Sequence, residues 1–187
     1  MTTVFLSGSR KLSRINDAIR SRIDNMIDNE LDIMAGDANG ADKAMQTYLA
    51  ERKYPNVTVF YVGSICRNNV GNWNTKNVSV NPGLSGRQFY SQKDKKMAEI
   101  ADFGLVLWDG KSAGSVENIF EIIQNGKKAI VYYSPEKSFY KVLEREDIDS
   151  LLNKCDKDIF ANLDRKLGFA QMFREIDARR QTTLNLV

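Results

Sequence analysis

Short apolar runs alternate with longer stretches in which apolar residues recur every three or four positions. Residues 4–7 read as a buried strand, and Ile15, Ile19, Ile23, Met26 and Ile27 then follow at helical spacing, with Ser13 placed to cap the start. The run 31–35 reads as a second strand, and Ala41, Ala44, Met45, Tyr48 and Leu49 form the next helical stripe. Residues 57–62 are β-branched and aromatic, as expected of a third strand. After a gap the alternation resumes. A helix through Lys95, Met97, Ala98 and Ile100 precedes the strand 103–108, and a helix carrying Val116, Ile119, Ile122 and Ile123 precedes the strand 129–133.

About five strands alternating with helices predict an α/β fold, a Rossmann-like parallel sheet covered on both faces. This domain is expected over residues 1–135. From Pro135 the apolar spacing is helical (Val142, Leu143, Ile148, Leu151, Leu152, Cys155 and onward), so residues 136–187 are expected to be a C-terminal helical appendage on the sheet or on a second subunit, with a single added strand left open. The Asn- and Gly-rich stretch 63–87 is too long for an idle connection and reads as a lid or binding loop. Within it, Trp73 has two readings: a ring tucked onto the core, or a platform on which a base stacks.

Ligands of open parallel sheets sit outside the carboxyl ends of the strands, which directs attention to three turns. The first is Gly8-Ser9-Arg10, where backbone N–H groups, a hydroxyl and a guanidinium could meet a phosphate. The second is Gly36-Asp37-Ala38-Asn39-Gly40-Ala41-Asp42. There Asp37 and Asp42 are candidates to accept hydrogen bonds from ribose or hold a cation, or else to form the turn and cap the next helix. The third is Asp109-Gly110-Lys111-Ser112-Ala113-Gly114-Ser115, a Gly/Ser loop at a helix start. A Walker A loop fails because position 105 is Leu105, and G-x-G-x-x-G is missing after the first strand.

Composition narrows the chemistry. The chain has no histidine, which removes imidazole acid–base catalysis, Ser-His-Asp systems and His-ligated zinc. The two cysteines, Cys66 and Cys155, lack metal-type spacing and are expected to be reduced thiols. No metal and no cofactor are expected. A net charge of +3 over 187 residues does not argue for nucleic acid. No apolar run approaches membrane-spanning length and no leader precedes the first strand, so a cytoplasmic protein without a membrane partner is expected.

The ordered set of Gly8-Ser9-Arg10, the 36–42 loop and the segment 101–115 resembles the SLOG superfamily, in its YspA/YpsA-related branch. The resemblance covers roughly residues 1–135. It implies a Rossmann-like sheet that binds nucleotides or nucleotide-derived ligands, in a group often found in bacterial or phage nucleotide signalling and defence. The superfamily also holds Lonely Guy-type phosphoribohydrolases, with an upstream arginine and a PGGxGTxxE signature whose final Glu is catalytic. Here Gly114-Ser115 aligns with the GT, Asn118 falls at the Glu position, Glu117 lies one residue earlier and the proline is absent. Arg87 is the candidate upstream arginine.

The leading expectation is therefore binding or sensing of a nucleotide-derived small molecule. The alternative is an N-glycosidase using Glu117 with Asp109 or Asp37, and a weaker one is single-stranded nucleic acid binding. A homo-oligomer is left open.

Overall fold

The computed structural model describes residues 1–184. Its elements run β1 (Thr3–Gly8), α1 (Asp17–Asp28), β2 (Asp32–Gly36), α2 (Ala41–Glu51), β3 (Val57–Tyr61), β4 (Asn74–Asn77), α3 (Gly86–Ile100), β5 (Phe103–Trp108), α4 (Ala113–Gln124), β6 (Lys128–Tyr133), β7 (Ser138–Val142), α5 (Arg145–Leu152), α6 (Lys157–Leu167) and α7 (Phe169–Leu184). They form an α/β fold around one seven-stranded sheet of order β4-β3-β2-β1-β5-β6-β7. Every neighbouring pair is parallel except β6 and β7.

The strand order reverses between β1 and β5. The chain winds outward from β1 through β2 and β3, then returns through α3 to place β5 on the other side of β1. Two apolar cores follow from this winding. On one face, Val4, Leu6, Ile33 and Leu105 pack against Ile19 and Ile23 of α1 and Met45 and Leu49 of α2. On the other, Phe5, Met34 and Val106 pack against Met97 of α3 and Ile119 and Phe120 of α4. Strand residues thus alternate between faces with period two, and the continuous apolar runs reflect burial on both.

Two strands exceed the five expected. β4 is polar and fully exposed, so no hydrophobic signal marks it. It is held by parallel pairing with β3 and by the Val78 amide, which donates to the Tyr61 carbonyl at 2.8 Å. β7 follows a 3₁₀ turn at Ser134–Glu136, whose αL residue Lys137 turns the chain back along β6. Its Phe139 and Tyr140 point to opposite faces, against Tyr132 at 5.1 Å and Tyr133 at 6.4 Å between ring centroids. Val142, expected in a helix, is therefore strand. The cap of α1 also differs: Asn16, not Ser13, accepts from the Ile19 amide at 3.0 Å.

The segment after Pro135 shares the sheet and its core. Beyond β7, α5 to α7 lie over α4, with Ile148, Leu152, Leu163 and Phe169 in the same apolar cluster as Phe120. Phe120 stacks on Phe169 at 5.9 Å and meets Phe173 edge-on at 5.0 Å. Among the described residues, no helix is long and apolar enough to cross a membrane.

Candidate functional site

A cavity of about 540 Å³ opens at the carboxyl ends of β1 and β5, at the point where strand order reverses. That is the position from which helix N-termini and inter-strand loops can reach a common ligand. Three sides are built from the turns after β1, β2 and β5, and the fourth from the N-terminal half of α3.

The β1 turn contributes Gly8, Ser9, Arg10 and Lys11. Gly8 is required by close approach: a Cβ there would lie 2.6 Å from the Leu107 carbonyl and 2.7 Å from the Ala41 methyl. The Ser9 amide donates to the Leu107 carbonyl at 2.8 Å, and the Ser9 carbonyl accepts from the Ala41 amide at 3.0 Å. The turn is thereby tied to both β5 and the start of α2.

The β5 turn supplies Asp109, Lys111, Ser112, Gly114 and Ser115, and α4 continues the wall with Glu117 and Asn118. Asp109 organises this loop, since its Oδ1 accepts from the Ser112 amide at 2.7 Å and the Lys111 amide at 3.1 Å. Ser112 is the N-cap of α4, its Oγ accepting from the Ser115 amide at 3.4 Å. Gly114 faces open space where a side chain would project. Ser115 is 1% exposed, and its Oγ is buried with no hydrogen-bond partner among the described residues. A buried hydroxyl without a partner carries a desolvation cost that a ligand atom would offset.

The β2 turn does something else. Of its residues only Ala38 and Asp42 line the cavity. Asp37, a candidate either to reach ribose or a cation or to form the turn, is 1% exposed and gripped by Arg67, with Nη2 at 2.6 Å from Oδ1 and Nε at 2.8 Å from Oδ2. Burial pushes its carboxyl upward, but the hydrogen bonds and charge of Arg67 outweigh this and hold its pKa below the ordinary value. Asn39 Oδ1 accepts from Asn68 Nδ2 at 3.0 Å. Gly40 has φ 82°, and a Cβ there would lie 2.3 Å from the Arg10 carbonyl oxygen. Gly36 also lies outside the cavity lining and supports it from behind.

Through these bonds the β2 turn anchors the segment after β3. Gln46 completes the clamp, donating to the Gly36 carbonyl at 2.8 Å while its Oε1 accepts from the Val70 amide at 3.0 Å. The result is to present Arg67 in the cavity, 4.5 Å from the Tyr90 ring centroid, with Arg10 at 5.9 Å from the same ring. Residues 63–87, expected as a lid or binding loop, form a pinned loop that brings Arg67 to the cavity, the edge strand β4 and the approach to α3.

Trp73 does not line the cavity. Its Nε1 donates to the Tyr54 carbonyl at 2.8 Å, and its ring packs against the apolar cluster beneath α1 and α2. The core reading of this residue holds, and the base-stacking reading is corrected. Tyr90 of α3 is the aromatic residue that faces the cavity.

Besides Lys11 and Arg67, sequence reasoning missed Tyr90, Ser91, Lys93 and Asp94 of helix α3, which follow the expected Arg87 by one to two turns. Their spacing of three to four residues is a helical stripe, but the helix was expected only from Lys95 onward. Lys93 is 2% exposed, and its Nζ lies 2.5 Å from Asp94 Oδ1 and 4.0 Å from Asp42 Oδ2. Burial pushes the Asp42 carboxyl up to about 7, against the opposing pull of Lys93. Burial would lower the Lys93 ammonium, but Asp94 and Asp42 outweigh it and keep its pKa above the usual value. Across the cavity, Arg87 Nε sits 3.7 Å from Glu117 Oε2, and Arg87 also donates to the Lys166 carbonyl of α6 at 3.3 Å. Burial raises the Glu117 carboxyl, opposed by Arg87 and Lys95.

The cavity is thus cationic around Arg10, Lys11, Arg67 and Lys111, and carries the buried Asp42 and Lys93 with the half-buried Asp94 on another side. Among the described residues, no group of three or more Cys, Asp or Glu side chains is placed to hold a metal ion. The chain matches no protein-family model, no curated protein and no solved structure.

Proposed function

We propose that this cavity binds a nucleotide-derived small molecule through its phosphate at the start of α4. The observation that carries the reading is Ser115. Its buried, unpartnered Oγ lies at the N-terminus of a twelve-residue helix, and the residue borders a cavity that also holds Arg10 and Lys111. Helix N-termini favour anions through their free N–H groups and the aligned peptide dipoles, and the adjacent cations add charge-assisted bonds. The volume falls within the range of small-ligand sites, and Tyr90 offers an aromatic surface beside two guanidinium groups. The likeness of the three turns to the SLOG superfamily supports the same reading.

Native mass spectrometry of the purified protein, followed by a thermal-shift panel of nucleoside monophosphates, diphosphates, ADP-ribose and cyclic dinucleotides, tests it. A ligand at 100 times its dissociation constant stabilises by about 2.7 kcal/mol. If no member of the panel shifts the melting temperature, the reading fails.

A second reading, hydrolysis of an N-glycosidic bond, is favoured by Glu117. Its carboxyl faces the cavity beside Arg87, with its proton affinity raised by burial. In that reaction water adds to the anomeric carbon, the base leaves with a proton, and a carboxylate steadies the oxocarbenium-like sugar. Incubation with nucleoside monophosphates and chromatography for free base checks it. Base release that Glu117→Gln abolishes would establish turnover, whereas an intact ligand leaves the protein a binder.

A further inference from the structure

The buried pair Asp42 and Lys93, with the half-buried Asp94 beside it, has no evident structural purpose. Burying charges in a protein interior is costly unless each is paired and hydrogen-bonded, and apolar replacements of similar volume are often more stable. Here the pairing is incomplete. Lys93 gives one bond to Asp94, while Asp42 Oδ2 stays 4.0 Å away, beyond hydrogen-bond reach. The sheet is cut back to admit the group: a Cβ on Gly36 would lie 2.4 Å from Asp42 Oδ2 and 2.6 Å from Lys93 Nζ. Asp42, Lys93 and Asp94 all line the same cavity as the unpartnered Ser115 Oγ.

We infer that the gap between Asp42 and Lys93 is a seat for a sugar hydroxyl, so that the cavity selects ribonucleotides over their deoxy counterparts. The inference rests on the nucleotide reading given above. A hydroxyl both donates and accepts through a single oxygen atom. Placed in the gap, it donates to Asp42 Oδ2 and accepts from Lys93 Nζ, with two bonds of about 2.8 Å readily spanning the separation. A phosphate oxygen would be repelled by Asp42, and an ammonium by Lys93. A carbon–hydrogen group in the same place supplies neither bond, leaving Asp42 Oδ2 and the remaining Lys93 donors without a ligand partner, which is how a polar site rejects an analogue lacking one hydroxyl.

Titration calorimetry with AMP, GMP, CMP and UMP, each beside its 2′-deoxy and 3′-deoxy counterpart, tests this on the wild-type chain. For whichever base binds, the ribonucleotide is expected to bind at least tenfold more tightly than one of the two deoxy forms. In Asp42→Asn that preference is expected to fall to about twofold or less, while Ser115→Ala weakens ribo and deoxy forms equally. Equal binding of ribo and deoxy forms to the wild type overturns the inference and leaves the nucleotide reading standing. Absence of binding by every nucleotide of this set and of the thermal-shift panel overturns both. The wild-type comparison decides the matter even where Asp42→Asn does not fold.

Discussion

The turns after β2 and β5 look alike in sequence, each a short polar loop with two glycines ahead of a helix, yet they do opposite work. In the β5 turn, the loop is braced internally by Asp109 and Ser112, which leaves Gly114 facing open space and the Ser115 hydroxyl unpartnered. In the β2 turn almost every polar group is already spent. Asp37 holds Arg67, Asn39 holds Asn68, and Gly40 lies against the backbone of Arg10. One turn presents donors to the cavity, and the other is the clamp that brings the β1 turn and the segment after β3 into place. A glycine-bearing turn is a ligand site only where its donors and acceptors remain unsatisfied by the chain itself.

Alanine at the two turns should separate these roles most sharply. Gly40→Ala must adopt φ 82° and place a methyl into the Arg10 backbone, so a loss of about 3 kcal/mol in urea unfolding is expected. Gly114→Ala meets nothing and is expected to change stability by less than about 0.5 kcal/mol. Equal effects would erase the distinction. Next in size is Asp37→Ala, which leaves the Arg67 guanidinium without its carboxylate. Breaking a buried pair costs about 3–5 kcal/mol, and with Arg67 a third exposed about 2 kcal/mol is expected here. Ligand affinity should fall too, because Arg67 is no longer held beside Tyr90. Unchanged affinity would mean that Arg67 does not serve the site.

Asp42 allows a comparison by pH. Its folded pKa, about 7, lies above the ordinary 3.8, so the native state holds the proton more tightly than the unfolded chain. The associated stability is fully present below about pH 4 and is lost as pH rises through about 7. Lys93, Asp94, Asp37, Arg67 and the Ala38 amide are the groups that act on it. The stability of Asp42→Asn minus that of the wild type is therefore expected to grow by on the order of 3 kcal/mol between pH 4.5 and pH 8. A difference that stays flat would mean that Asp42 titrates normally.

The alternation of apolar runs made the parallel sheet legible, because strands buried on both faces must be apolar throughout. β4 was illegible for the complementary reason: Asn74, Thr75, Lys76 and Asn77 lie exposed at the sheet edge, and only backbone pairing defines them. Within the site, the β1 and β5 turns were legible because glycine, hydroxyl and cation sit together in sequence. Arg67, Tyr90 and Lys93 were not, since each reaches the cavity through long-range contacts. Arg67 is placed by Asp37, thirty residues away. Trp73 was ambiguous in sequence because Tyr54, whose carbonyl takes its N–H, lies nineteen residues away.

The smallest expected effect bears most directly on the comparison. Ser115→Ala removes one oxygen from the start of α4 and touches no hydrogen bond that the folded chain makes with that oxygen. Deleting a buried polar atom without a partner relieves its desolvation cost, so stability is expected to stay level or rise slightly, by up to about 1 kcal/mol. Ligand affinity should move the other way, by about tenfold or more, the worth of one hydrogen bond to a charged phosphate. Opposite signs in the two measurements are the signature of a group kept for a ligand. A loss of stability with unchanged affinity would instead assign Ser115 to the helix start, and the β5 turn would then be a brace like the β2 turn.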